Sequence, residues 1–220
     1  MLLDVRFNFE LMMEWAPFIL EGLGIVLLIS MISAFIGIII GFLCAFLKKI
    51  PIIGAFVSGY IDLFRGTPVF FQLYFIRYGL PALFGLQLDI FTCALLVFGL
   101  NSGAYLAEII RAGIEGVNKG QIEAAKALGV SQSNIIKDII LPQAVRKVLP
   151  AIVNEFITLT KETSVVSVLG INDMMKRYSF VVAKTYSPIE PLVVIGIAYY
   201  TLNKLLSFIG KRIERRMKYD

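Results

Sequence analysis

Apolar residues run through this chain in five long blocks, near 18–47, 54–79, 90–112, 146–169 and 190–210, separated by polar stretches. Each block is about as long as the roughly 20 residues that an α-helix needs to cross a hydrocarbon core. The pattern predicts an all-α integral membrane protein with five transmembrane helices. The first block is longer than one span requires, so its helix tilts or extends past the bilayer. Between the third and fourth blocks lies a polar stretch, 112–145, far longer than the other connections. The whole chain, 1–220, reads as a single membrane domain with that loop inside it.

Composition agrees: 58% of residues are hydrophobic and 17% charged, with a mean hydropathy of +0.80. A soluble domain of this length, whose outer face meets water, does not need so much apolar surface. The net charge of +5 would suggest nucleic acid in a soluble protein. Here the cations flank apolar blocks, so the positive-inside rule accounts for them and no nucleic acid is expected. Lys48, Lys49, Arg111, Lys119, Lys126, Lys137, Arg146, Lys147, Lys204, Lys211, Arg212, Arg215, Arg216 and Lys218 fall on one side. Arg6, Arg77, Lys176, Arg177 and Lys184 fall on the other, fourteen against five, with Arg65 and Lys161 inside the membrane. The N-terminus is therefore expected outside, and the long loop and C-terminus in the cytoplasm. Asp4, Glu10 and Glu14 are unlike the positively charged start of a removable signal peptide. Trp15 and Phe18 are placed as interfacial anchors. Cys44 and Cys93 lie in apolar blocks, as small hydrophobes do. There is no histidine, which removes the commonest metal ligand and general base.

The long loop predicts two short helices with a hinge. Residues 120–128 are good helix formers, with Glu123 in the first turn near the positive end of the dipole. Gly129 is placed to close that helix in the left-handed conformation. Ser131 then caps a second helix, in which Ile135, Ile136, Ile139 and Ile140 form an apolar stripe. Pro142 is expected to break it. Alanines at 124, 125 and 127 leave a smooth surface for another protein.

The spacing Glu123-Ala124-Ala125, three residues, Gly129, nine residues, Ile139, one residue, Leu141-Pro142 resembles the EAA loop of ABC importer permeases at every fixed position. Other stretches are similar to the polar amino acid uptake branch: Arg65-Gly66-Thr67-Pro68, the run from Asn101 to Glu108, Leu141-Pro142-Gln143-Ala144, Leu149-Pro150, Asn154-Glu155-Phe156-Ile157 and Lys161-Glu162-Thr163-Ser164. The likeness covers roughly residues 18–212. It implies a multi-pass permease of a prokaryotic cell membrane, with 112–145 as its coupling-helix loop. Gln121, Glu123, Ala124, Ala125, Leu128 and Gly129 would then dock on a cytoplasmic ATPase. It also implies two ATPase subunits, an external solute-binding protein that meets the outer loops near 80–89 and 170–189, and alternating access of a midplane cavity.

Ionisable groups within a bilayer cost about 2.5–3.5 kcal/mol on insertion scales, so each needs a partner or a wet cavity. Asp62 and Arg65 share one face of the second span. Pro68 cannot donate to the Phe64 carbonyl, so an acceptor is freed near mid-span. Asn101 sits about 16 Å below the outer end of the third span at helical rise. On the fourth span, Asn154, Thr158 and Lys161 share one face, as do Glu155, Thr158 and Glu162. Three spans thus place polar groups near one depth, giving Asp62, Arg65, Asn101, Asn154, Glu155, Thr158 and Lys161 as candidate solute contacts. Asp62 and Glu155 suit an ammonium, and Arg65 or Lys161 a carboxylate. The alternative is that Asp62–Arg65 and Glu155–Lys161 are structural pairs, within the chain or across a subunit contact. The acid after Asn154 resembles permeases for arginine, lysine and histidine; acids already paired would suit glutamine, cystine or another polar solute.

No Gly-x-x-x-x-Gly-Lys-Ser/Thr phosphate loop occurs, so ATP and Mg²⁺ belong to a partner and this chain needs no cofactor. Five spans with polar faces on three call for a second permease subunit, most economically an identical one. An ion-coupled carrier would show internal repeats, and none is visible. An intramembrane hydrolase would show a Gly-x-Ser-x-Gly elbow or a metal cluster, and neither occurs.

Overall fold

The computed structural model describes residues 7–219, with side chains as far as 215. Asp4 and Arg6, and the side chains of Arg216 and Lys218, lie outside the described residues. The described chain is helical throughout. Three stretches are long and apolar enough to cross a membrane: Phe9–Leu47, Ile90–Glu115 and Ile189–Arg215. The second and fourth expected spans are helical as well, but each changes form part-way.

The first stretch is two helices, α1 (Phe9–Leu20) and α2 (Leu23–Leu47), the former capped by the Asn8 side chain. They join at Glu21-Gly22, where the fold needs a residue without a side chain: a Cβ on Gly22 would strike the Met174 backbone. A short link then leads to α3 (Pro51–Gly66), with proline at its first turn where no N–H is missed. Thr67 and Pro68 are extended, and the chain resumes as α4 (Val69–Tyr74), a π turn (Phe75–Gly79) and α5 (Leu80–Phe84). The expected break in the second span is thus present.

α6 (Ile90–Glu115), capped by Asp89, is the centre of the molecule and is buried along most of its length. It runs parallel to α2 with small residues interlocked along the seam. Cβ atoms would meet Ser102 at 2.9 Å from Gly37, Leu106 at 2.7 Å from Gly41 and Ile36 at 2.7 Å from Gly99. Lipid supplies no hydrophobic drive between helices, so this close backbone approach is what holds them. Ile29, Leu73, Cys93, Val97, Phe98 and Leu159 complete the main apolar cluster. Cys44 and Cys93 are both buried free thiols.

The long loop contains α7 (Lys119–Ala127) and α8 (Gln132–Asn134). Asn118 caps α7, so Glu123 lies beyond its first turn, not within it. Gly129 has φ +74°. Its amide donates to the Lys126 carbonyl and that of Val130 to the Ala125 carbonyl, both at 3.0 Å. This is the paired closure that a left-handed glycine allows. Ser131 caps α8 as expected. Pro142 does not break the helix. A π turn (Ile135–Ile140) widens the backbone just ahead of it, and the helix continues as α9 (Leu141–Glu162). The wider turn relieves the clash between the proline ring and the preceding turn. The π turn before Pro81 answers the same problem. α9 tightens into a 3-10 segment (Thr163–Leu169) that ends at Gly170, φ +90°.

The connection expected as an outer loop holds a helix, α10 (Met174–Thr185), capped by the buried Asp173. It packs with α1 and α11 (Ile189–Tyr219) around Ile19, Val26, Val181 and Val194. The Phe18 ring lies tilted against Phe180, centroids 5.4 Å apart, and Lys184 lies 4.8 Å over the Trp15 ring. The two aromatic anchors therefore serve this packing. Arg177 ties the joint down by donating to the Phe18 carbonyl at 2.8 Å and to Glu21 at 2.6 Å.

Candidate functional site

The break after α3 leaves the carbonyls of its last turn without their helical donors. The Thr67 hydroxyl donates to the Leu63 carbonyl at 2.7 Å. The Phe64 carbonyl, the acceptor freed by Pro68, takes Gln72 Nε2 at 2.8 Å and Asn101 Nδ2 at 3.1 Å. Gln72 Nε2 also reaches the Thr67 carbonyl at 3.1 Å and its hydroxyl at 2.9 Å. Asn101 Nδ2 donates to Gln72 Oε1 at 3.0 Å. Both amides are buried, at 6% and 5% exposure. Asn101, expected to face solute, instead spends both N–H bonds holding the break. A groove of about 320 Å³ runs alongside, lined by Leu63, Phe64, Thr67, Phe71, Gln72 and Phe75 among others.

Asp62 and Arg65 are both exposed on α3, and among the described residues they make no pair with each other. Arg65 turns toward α6, its guanidinium 5.2 Å from the Tyr105 ring and 3.9 Å from Glu108. Glu108 is a hub: it accepts from Lys48 at 2.8 Å and from Arg111 at 2.6 Å, and Arg111 reaches Glu115 at 2.8 Å. The hub fastens the end of α2 to α6 through the charge-assisted Lys48 bond, with Arg65 of α3 alongside as a longer ion pair.

The polar residues of α9 divide between two faces. Asn154 and Lys161 are exposed, with the half-buried Thr158 between them, and form an open strip. Glu155 turns the other way, into a largely apolar cavity of about 280 Å³ between α2, α6, α9 and α11. Ser102 shares that cavity, its buried hydroxyl beside the Glu155 carboxylate. Among the described residues Glu155 makes no pair with Lys161, so neither alternative pair forms within the chain. The candidates expected at one depth thus lie in three places: the α3–α4 break, the open strip on α9, and the Glu155–Ser102 cavity. Gln72, Ser102 and Glu108 escaped the sequence reading, although a glutamine four residues after Pro68 in an apolar helix was a visible signal.

In the loop, Gln121, Glu123, Ala124 and Gly129 are exposed, and Leu128 is 84% exposed. Ala125, expected on the same docking face, is 7% exposed and faces inward. The loop is braced by a hydrogen bond of 2.7 Å from Gln143 to Gln121 and by another from Lys147 to the Gly116 carbonyl. Among the described residues no group of His, Cys, Asp or Glu could hold a metal ion.

Residues 37–219 match the family described as binding-protein-dependent transport system inner membrane component. The arginine transport system permease protein ArtQ of Bacillus subtilis is 47% identical over 97% of this chain and 99% of its own length. The putative glutamine transport system permease protein GlnP of Rickettsia conorii is 42% identical over 95% and 98%. The glutamine permease GlnP of Escherichia coli K12 is 34% identical over 97% and 99%. A crystal structure of an amino acid ABC transporter with histidines superposes with a TM-score of 0.91 at 36% identity, over 96% of this chain and 100% of that one. A methionine transporter in inward-facing form, at 21% identity and a TM-score of 0.72, shares the fold. Sequence pattern, helical architecture and these likenesses agree: the chain belongs to the binding-protein-dependent inner membrane components, the multi-pass permease subunits of ABC transporters, which leave ATP hydrolysis to a separate subunit and work with a solute-binding protein.

Proposed function

We propose that this chain carries amino acids inward, basic ones first among them, as one of two identical permease subunits around an alternating-access path. The observation that carries the reading is Glu155. It is an acid without a cationic partner among the described residues, set in a cavity beside the Ser102 hydroxyl. Burying an unpaired acid is costly, and the ammonium or guanidinium of a basic amino acid would offset that cost. The 47% identity to an arginine permease supports the same choice. Asp62, Arg65, Asn154 and Lys161, with the half-buried Thr158, offer surface suited to the rest of the path, with Arg65 or Lys161 for the carboxylate. Asn101 stands beside this path through the break that it holds. Glutamine is the second reading, favoured by the relatives named as glutamine permeases.

Orientation follows the charge count, with the N-terminus outside and the α7 loop and C-terminus in the cytoplasm. The exposed residues of α7, with Leu128 and Gly129, dock on the ATPase. The external solute-binding protein meets the outer connections near 80–89 and 170–189, where Tyr186 projects with 90% exposure. The whole of 1–220 acts as one domain.

The test is ATPase stimulation in proteoliposomes holding this chain, its ATPase and its binding protein, with arginine, lysine, histidine, glutamine, glutamate and cystine compared. Stimulation by basic amino acids that Glu155→Gln abolishes is expected. Stimulation by glutamine alone would favour the second reading, and stimulation indifferent to Glu155→Gln would remove this residue from the path.

A further inference from the structure

We infer that Gln72 is a positioning residue for solute recognition, holding the α3–α4 break, and with it Arg65, in the geometry that the solute meets; this rests on the amino acid reading above. A helix interrupted in apolar surroundings must satisfy its freed backbone groups from within the protein. In this chain one side chain does most of that. Gln72 Nε2 spans the break, touching the Phe64 carbonyl on one side and the Thr67 carbonyl and hydroxyl on the other, at 2.8, 3.1 and 2.9 Å. Its Oε1 accepts from Asn101, which also donates to Phe64, so the amide pair and the backbone form a closed ring of bonds joining α3, α4 and α6.

The ring brackets Arg65 and Gly66. With the carbonyls on either side fixed, the direction in which the Arg65 side chain leaves the backbone is fixed as well, toward Tyr105 and Glu108. Gln72 is buried and its amide is engaged on the break, so it acts through this backbone. The requirement is for a donor, not for polarity as such: three of its four bonds give an N–H to an oxygen. A carboxylate of the same size would keep the bond from Asn101 and set a negative oxygen against two carbonyls.

The experiment uses the assembled transporter in proteoliposomes, with arginine and glutamine as probes. Half-saturating concentration and maximal ATPase rate are measured separately for wild type, Gln72→Met, Gln72→Glu and Asn101→Asp. A wild type that responds to neither probe would overturn the amino acid reading and this inference with it. Given a wild-type response, the expected result is a rise of tenfold or more in half-saturation for Gln72→Met, with a smaller fall in maximal rate. Gln72→Glu and Asn101→Asp are expected to be worse than Gln72→Met. Unchanged half-saturation in the variants that assemble, with only less protein recovered, would overturn the inference. So would failure of all three to assemble, because the ring would then serve folding alone.

Discussion

Gly22 lies directly against the Met174 backbone, so that α1, α2 and the start of α10 meet at a point where no side chain fits. The neighbouring Arg177 bonds to Phe18 and Glu21 complete this outer joint. Gly22→Ala therefore has to push two backbones apart. It should lower stability by about 1–3 kcal/mol or more, in the range of overpacked sites. Thermal unfolding in detergent checks it, and a wild-type melting temperature would refute the close approach.

Asp173, beside that joint, is fully buried. One carboxylate oxygen caps α10 by accepting from the Lys176 backbone amide at 2.9 Å, while the other has no partner among the described residues. Burial raises its pKa from 3.8 to about 6. The unfolded chain therefore loses this proton near 3.8 and the folded chain only near 6, so in between the folded state binds more protons. Stability falls as pH rises through that window, and the penalty is complete above it. Asp173→Asn keeps the cap and removes the charge. It should stabilise the protein at pH 7.5 by an amount on the order of 1–3 kcal/mol and leave pH 3.5 almost unchanged. Melting curves at the two pH values decide it.

The seam between α2 and α6 offers a complementary exchange. A methyl group on Gly37 would collide with Ser102 Cβ and Oγ at 2.9 Å. Gly37→Ala should therefore destabilise by about 1–3 kcal/mol. Adding Ser102→Gly should recover a large part of that loss, because residues in contact are not additive. Additive losses in the double variant would mean that the two positions do not touch.

On α7, Leu128→Asp changes an exposed apolar residue and should cut copurifying ATPase severalfold while the melting temperature of the permease stays within a degree or two. Ala125→Leu should do the reverse first, disturbing the loop itself, since Ala125 is nearly buried. Pull-down of the ATPase alongside thermal unfolding separates the two effects.

How much was readable beforehand varies with the range of the interaction concerned. The closure at Gly129 and the cap at Ser131 are local, governed by residues a few positions apart, and both could be read directly. So could the break at Thr67-Pro68 and the orphaned Phe64 carbonyl. What satisfies that carbonyl could not, because Asn101 arrives from a different helix. Pro142 was misjudged because a proline rule written for α-helices omits the π turn as an escape. The α10 helix left a signal in Asp173 and the apolar Met174 and Val181, masked by the surrounding polar residues. Glu155 and Asn154 are neighbours in sequence, and periodicity alone does not say which of the two looks inward.

The π turn ahead of Pro142 has a mechanical consequence. Because the helix is widened instead of broken at Pro142, it runs on from Gln132 to Glu162, from the long loop to the open strip of α9, with Pro150 as the one further proline inside it. From Gln143, bonded to α7 through Gln121, to Thr158 this helix is about 22 Å long at helical rise. A tilt of about 5° at the loop then sweeps Thr158 through about 2 Å over that lever arm. A hinge at Pro142 would have absorbed the same tilt. A continuous helix there turns a small push at the α7 loop into a displacement comparable to the width of an atom along the open strip of α9.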